Sequence, residues 1–354
     1  MPKYPKKKLA QLVLQQIVNH GIESVVISPG SRNAPLTLAF VNHPKVRALS
    51  VVDERCAAFF ALGMAQQTRQ PVGLLCTSGS ALLNYYPAVA EAYYSQIPLV
   101  IISADRPGHL IDIGDGQTIR QEGVFGNHIL FEANLEEDLS FESGEKNPTL
   151  FLQNTGRIDS ALSLCRERLG PVHINIPFDE PLYETTDHLY SFDLANAREK
   201  IVPENSLLNE KPLEVDELQK FANLWNKKNK KMVLVGSSFP DELIQTQMTH
   251  LAKDPSVLIL TETTSNIVDD RFINNIDQLI FPLGGEELDA LSPDILLTFG
   301  GMVVSKKIKQ FLRKHPPMEH WHVDAHRALD TFHCLSRHFT LSPQLFFSQF
   351  FFLT

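Results

Sequence analysis

The first half of the chain alternates between two hydrophobic periods. Lys8 to Asn19 spaces its apolar residues as a helix does, and Ser24 to Ser28 follows as a short β-branched run that stops at Pro29-Gly30. Leu36 to Val41 returns to helix, Arg47 to Val52 to strand, Cys56 to Gln67 to an alanine-rich helix and Val72 to Thr77 to strand. Ala81 to Ser95 reads as one helix, and Leu99 to Ser103 and Val172 to Ile176 read as apolar strands. From Tyr183 to Glu214 the pattern fades into polar sequence with Pro203 and Pro212, which predicts a linker. A second alternation then begins. Val215 to Asn226 is a helix, Met232 to Val235 a strand before Gly236-Ser237-Ser238, and Asp241 to Ala252 a helix. Val257 to Leu260 and Ile295 to Phe299 are strands, Ser305 to Lys314 is a basic helix, and Trp321 to Val323 is the last clear strand.

Strands that are apolar throughout and separated by helices predict parallel pairing with both faces buried. The expected fold class is therefore α/β with two domains, each a mostly parallel sheet covered by helices on both faces. The expected boundaries are 1–183, a linker over 184–213, and 214–354. The apolar run Leu345 to Thr354 reads either as a docked terminal segment or as the edge of a further domain.

Composition narrows the function classes. A chain of 354 residues can build two cores, and 43% hydrophobic with 21% charged residues is a globular balance. The net charge of −9 weighs against general nucleic-acid binding, but it leaves room for anionic substrates held by local arginines. No apolar segment follows the basic start, and no apolar run is long enough for a membrane span, so a cytoplasmic protein is expected. The four cysteines, Cys56, Cys76, Cys165 and Cys334, form no C-x-x-C and read as reduced, mostly buried thiols.

Candidate chemistry gathers where strands give way to helices. In Ser28-Pro29-Gly30-Ser31-Arg32, Ser31 can face an anion and Arg32 carries a fork suited to a carboxylate; alone, the segment is an ordinary turn with a surface arginine. Glu54 stands between a strand and a small-residue helix, where an acid either favours the helix dipole or is kept for chemistry. Thr77-Ser78-Gly79-Ser80 is a glycine loop that can approach a ligand, although it has no Walker A ending and no G-x-G-x-x-G occurs in the chain. Asp105-Arg106-Pro107 ends an apolar strand, where open α/β sheets bind ligands; the plainer alternative is a salt bridge from Asp105 to a neighbour.

Glu54, Ala57, Ala61, Gly63 and Ala65 fit an E-x-x-A-x-x-x-A-x-G-x-A run and resemble the thiamine diphosphate enzymes. With Ser28-Pro-Gly-Ser-Arg32 and Ser103-Ala-Asp-Arg-Pro107, the chain is similar to one family of them, the 2-succinyl-5-enolpyruvyl-6-hydroxy-3-cyclohexene-1-carboxylate synthases of menaquinone biosynthesis. The likeness is strongest over residues 8–180, and Thr263-Thr-Ser-Asn266 and Val304-Ser-Lys306 extend it. It implies a pyrimidine-binding first domain and a Rossmann-like central domain.

The same likeness implies thiamine diphosphate held between subunits of a homodimer or homotetramer, with Glu54 as the acid that contacts the aminopyrimidine and starts catalysis. Thr77, Ser78, Gly79 and Gln117 would border the cofactor. Ser31, Arg32, Arg106 and Gln117 would bind substrate. The implied reaction decarboxylates 2-oxoglutarate and adds the succinyl carbanion equivalent to isochorismate. One departure is Gly116, where many members carry Asn.

Mg²⁺ or Mn²⁺ is implied as well, and the family holds it with a Gly-Asp-Gly and a later Asn. Gly114-Asp115-Gly116 with Asn147 has a similar spacing. However, no apolar strand leads into it, Phe141 to Asn147 is polar, and it aligns with the family's substrate loop, so no metal ligand is assigned. No other Gly-Asp-Gly occurs. The diphosphate-binding domain is therefore expected to be absent, and the chain to be inactive unless a separate domain supplies it. Two alternatives stand beside this reading: a non-catalytic, dimerising, anion-binding α/β module, and an acetolactate-synthase-like enzyme, against which Arg32 and Arg106 weigh. His320, His322, His326 and His333 read as ordinary imidazoles near a strand, with zinc the lesser alternative. Lys306 to Lys314 reads as a solvated helix face, with an anion or regulatory site the minor one.

Overall fold

In the computed structural model, residues 3–137, 148–192 and 212–351 are described, and the chain divides into two units, Met1–Leu207 and Leu208–Thr354. The first unit runs β1 (Tyr4–Pro5), α1 (Lys8–Asn19), β2 (Ser24–Ile27), α2 (Ala34–Val41), β3 (Arg47–Ser50), α3 (Glu54–Thr68) and β4 (Val72–Cys76). It continues through α4 (Ser80–Leu83), α5 (Tyr86–Ser95), β5 (Leu99–Asp105), β6 (Glu132–Asn134), α6 (Pro148–Arg168), β7 (Val172–Pro177) and β8 (Thr185–Thr186). Six strands form one sheet in the order β3-β2-β4-β5-β7-β6, and every pairing in it is parallel. Separate apolar clusters, one containing Val25, Val100 and Ile174 and the other Val26, Leu74 and Ile101, bury its two faces.

Local chemistry explains the elements that carry the site. Asp53 caps α3 by accepting the Cys56 amide at 2.8 Å, and Ala57, Ala58, Ala61 and Ala65 are fully buried, so α3 lies close on the sheet. The predicted single helix over 81–95 is two helices. Tyr85 turns its ring into the core between them, and its hydroxyl donates to the Leu75 carbonyl at 2.8 Å. α6 and β6 fall in a stretch for which no element was predicted. Residues 185–192, at the start of the expected linker, pack on the first unit. β8 pairs antiparallel with β1, and the Tyr190 amide donates to Gln11 at 2.8 Å, so the chain is docked on the first unit as far as Phe192.

The second unit runs α7 (Val215–Lys227), β9 (Lys231–Val235), α8 (Glu242–Leu251), β10 (Val257–Leu260), α9 (Ile276–Ile280) and α10 (Gly285–Leu291). It ends with β11 (Ile295–Phe299), α11 (Lys306–Lys314), β12 (Glu319–Val323), β13 (Arg337–Phe339) and α12 (Pro343–Phe350). Its all-parallel sheet has the order β10-β9-β11-β12-β13, again with an apolar cluster on each face. The aromatic run near the C-terminus is helix α12. Ser342 caps it, and Phe346, Phe347 and Phe350 are buried, packing on Phe339, Phe299 and Trp225 respectively. Of the two readings of this run, the docked segment is the one the described residues match; residues 352–354 lie outside the described ones. Trp321 to Val323 is not the last strand, because β13 pairs beside it. Cys76 and Cys165 are buried, whereas Cys56 is exposed and Cys334 intermediate. Among the described residues no helix is long and apolar enough to cross a membrane.

Candidate functional site

The C-terminal ends of β2, β3, β4 and β5 are neighbours along one sheet edge, and each carries one of the sequence constellations. Two close contacts lock three of them together. A Cβ on Gly30 would lie 2.4 Å from the Thr77 Cβ, so only glycine lets the turn after β2 close on the loop after β4. The Arg32 amide then donates to the Thr77 hydroxyl at 3.3 Å. Gly79 has φ +86, and a Cβ there would meet the Gln117 carbonyl at 2.9 Å. Ser78 donates to that same carbonyl at 3.2 Å. The loop of Thr77 to Gly79 is thus clamped between the arginine turn and the Gln117 loop.

Arg32 is buried. It donates to the Phe178 carbonyl at 2.8 Å and lies 3.4 Å from the largely exposed Glu180 carboxylate, while its Nε has no partner. Burial lowers its pKa, and so does the nearby charge of Arg106. Arg106 donates to the Gly116 carbonyl at 3.0 Å and pairs with Asp115 at 3.3 Å, and its buried Nε is also unpartnered. The two guanidinium charges oppose one another, and the Glu180, Asp179 and Asp115 carboxylates offset this in part. Guanidinium forks of this kind suit carboxylates.

Asp115 therefore serves Arg106, and among the described residues no group of three or more His, Cys, Asp or Glu could hold a metal ion. Phe141 to Asn147 lie outside the described residues. Asp105 makes no salt bridge with a described residue, contrary to the plainer alternative. It accepts from Asn175 at 2.8 Å and from the Arg106 amide at 2.7 Å.

Glu54 is the first residue of α3 and is half-buried. The cap of that helix is Asp53, whose carboxyl is held below the ordinary range by the Cys56 amide. Glu54 is thus not needed as the cap and makes no hydrogen bond or ion pair with any described residue. Its charge reaches inward to Cys76 and Tyr85, helping to raise their pKa values, which burial raises most. The structure does not join it by hydrogen bonds to Arg32, Arg106 or Gln117. Ser31 and Gln117 have exposed side chains at the same sheet edge. Val52, Phe59 and Phe60, close to Glu54 in the chain, and Leu83 on α4 leave apolar surface uncovered, Val52 being 75% exposed.

Residues 7–127 match the model described as "Thiamine pyrophosphate enzyme, N-terminal TPP binding domain", and residues 201–351 match "Middle domain of thiamine pyrophosphate". The chain belongs to the thiamine pyrophosphate enzyme family. It is 51% identical over 347 residues to a 2-succinyl-5-enolpyruvyl-6-hydroxy-3-cyclohexene-1-carboxylate synthase of Flavobacterium psychrophilum, covering 98% of this chain and 59% of the relative. It is 52% identical to the synthase of Christiangramia forsetii, covering 95% and 59%, and 39% identical to that of Desulfotalea psychrophila, covering 94% and 60%. The chain thus spans about 60% of the length of the curated relatives it matches.

Sequence reading gave no role to Gln121, Glu132, His173 or Asn175, which the structure links behind the site. One signal was present. His173 and Asn175 are polar residues two apart on an otherwise apolar strand, so both lie on one face of a buried sheet. In the second unit, His320 and His322 are part of β12 and are buried on either side of the Thr298 hydroxyl, which lies 2.9 Å from one and 2.8 Å from the other.

Proposed function

We propose that this chain carries the aminopyrimidine-binding half of a 2-succinyl-5-enolpyruvyl-6-hydroxy-3-cyclohexene-1-carboxylate synthase. On this reading the enzyme joins 2-oxoglutarate, with loss of CO₂, to isochorismate in menaquinone biosynthesis. The observation that carries the reading is the paired guanidiniums of Arg32 and Arg106, each with a buried unpartnered Nε, on the sheet edge that also bears the unpartnered Glu54. An acetolactate-type reaction has less use for two arginines, because its acceptor carries fewer carboxylates.

The residues present suit the organic half of thiamine diphosphate. Glu54 is a carboxylate with no partner in the described chain, and the Gly79 loop leaves no room for a side chain. Glu54 would share a proton with a ring nitrogen of the aminopyrimidine, with Thr77, Ser78, Gly79 and Gln117 bordering the ring. Bound, the cofactor supplies the electron sink for decarboxylation of a 2-oxo acid. Arg32 and Arg106 would hold carboxylates of the acceptor, with the Ser31 hydroxyl and the Gln117 amide beside them. Among the described residues no group could hold Mg²⁺, so we assign the metal and the diphosphate it bridges to a diphosphate-binding domain other than the two units described here.

The uncovered Val52, Phe59, Phe60 and Leu83 support a homo-oligomer in which a second copy covers α3 beside Glu54. The four free cysteines support a cytoplasmic location. The test is product formation from isochorismate and 2-oxoglutarate with thiamine diphosphate and Mg²⁺. The chain is assayed alone and mixed with the remaining, C-terminal part of the Flavobacterium psychrophilum relative. Product only from the mixture is expected. Product from the chain alone would remove the need for a further domain, and none from the mixture would remove the assigned reaction.

A further inference from the structure

Behind the sheet edge runs a buried polar chain whose hydrogen directions can be worked out from two backbone groups. The Gly79 amide donates to Gln121 Oε1 at 2.8 Å, and Gln121 Nε2 donates to the Ala104 carbonyl at 3.2 Å. Neither backbone group can reverse its role, so the Gln121 amide has one orientation. Its Nε2 also faces Asn175 Oδ1 at 2.8 Å, which fixes Asn175 and turns Asn175 Nδ2 to Asp105 Oδ2 at 2.8 Å. Ser103 Oγ lies 2.7 Å from Asn175 Oδ1, an acceptor, so Ser103 spends its one proton there. His173 Nε2, 2.7 Å from the same Oγ, must then be a donor. On the other side of the ring, His173 Nδ1 lies 3.0 Å from Glu132 Oε1. Between them, Glu132 and His173 therefore hold one proton more than a carboxylate and a neutral ring would.

The surroundings put that proton on the ring. Burial pushes the Glu132 carboxyl up, but the hydrogen bond and charge of His173, with the Gly123 and Asn134 N–H groups, outweigh it and hold Glu132 below the ordinary carboxylate value. His173 is fully buried with Phe125 edge-on at 5.1 Å, and an imidazolium there persists only beside an anion. The other charged groups facing the chain are Asp105 and, through it, Arg32.

We infer that Glu132 and His173 form a buried ion pair that positions the site from behind. One arm runs through Ser103, Asn175 and Gln121 to the Gly79 amide. The other runs through Asn175 to Asp105, which accepts from the Arg106 amide at 2.7 Å. None of the five residues Glu132, His173, Ser103, Asn175 and Gln121 is assigned a ligand; they are positioning residues. What Gly79 and Arg106 bind rests on the function proposed above, but the state of the pair does not.

The experiment uses the full chain without ligands. Histidine-selective ¹⁵N NMR at neutral pH should find a ring with both nitrogens protonated whose signal vanishes in His173→Gln, distinct from those of His20 and His315, which also face carboxylates. In Glu132→Gln, where the altered side chain is near the surface, the His173 ring should become neutral. A neutral His173 ring in the unaltered chain overturns the ion pair. Hydrogen exchange at the Gly79 amide should speed up about tenfold in both Glu132→Gln and Ser103→Ala, the loss of about one net hydrogen bond. Exchange at the β4 amides, outside the polar chain, should stay unchanged. Unaltered Gly79 exchange in both variants overturns the positioning role. Failure of the synthase assay with these two results intact would count against the proposed function alone.

Discussion

The second unit should lose stability in mild acid because of two buried histidines. Burial lowers the pKa of His320 and of His322 to about 4. An unfolded histidine titrates near 6.5, so between about pH 6.5 and 4 the unfolded state binds protons that the folded state refuses. The stabilisation is full above pH 6.5 and drains away as pH falls toward 4. Each ring accounts for about 3 kcal/mol, and the two share Thr298, so their protons enter as a coupled pair worth about 6 kcal/mol. That rivals the whole stability of a typical domain, about 5–15 kcal/mol. Both tryptophans of the chain, Trp225 and Trp321, are buried in this unit, so tryptophan fluorescence reports on it alone. Urea unfolding followed this way should show stability falling by up to about 3 kcal/mol per pH unit near pH 5. His322→Gln keeps a polar partner for Thr298 and removes one titrating ring, so the slope should halve. Asp254, lowered by Ser256 and Lys231 against its own burial, loses its contribution only below the carboxylate range, in a separate window. A stability that stays flat from pH 6.5 to 4.5, or equal slopes in the two proteins, would mean that these histidines do not stay neutral in the folded unit.

Gly79→Ala should destabilise the first unit by about 3 kcal/mol, since alanine at φ +86 is strained and its methyl would meet the Gln117 carbonyl. Hydrogen exchange across β4 and β5 measures it, and an unchanged exchange pattern would show that the clamp is loose. Phe346→Ala should cost the second unit about 3–5 kcal/mol by opening a cavity under α12, read by the same tryptophan fluorescence. A loss under about 1 kcal/mol would mean that α12 is not core. Arg32→Lys keeps the charge but loses the fork, and in the completed enzyme it should raise the KM for isochorismate about tenfold or more. An unchanged KM would separate Arg32 from the acceptor.

Much of the fold is legible because buried parallel strands announce themselves as apolar runs, and β2, β4, β5, β9, β10 and β11 all do. β6 and β13 are three residues each, too short to show a period, and β13 contains Arg337 and His338. α12 was visible as an apolar run, but its docking was left as one of two readings, because nothing local says that Trp225 and Phe339 will cover it. The site divides the same way. Glu54, Arg32 and Arg106 could be picked out by residue type at strand ends. The clamp of Gly30 on Thr77 and of Gly79 on Gln117 joins positions about 40 residues apart and depends on which strands become neighbours, which local pattern does not encode.

On the proposed function, Glu54 is kept free for chemistry on this sheet edge. The direct test is Glu54→Gln in the chain completed with the C-terminal part of a relative, comparing turnover of isochorismate and 2-oxoglutarate with the unaltered chain. Turnover should fall about a hundredfold or more, the size of a lost acid–base group, while the unfolding midpoint of the first unit stays the same, because Glu54 bonds to nothing described. Turnover within about threefold of the unaltered chain, under 1 kcal/mol of barrier, would contradict the account.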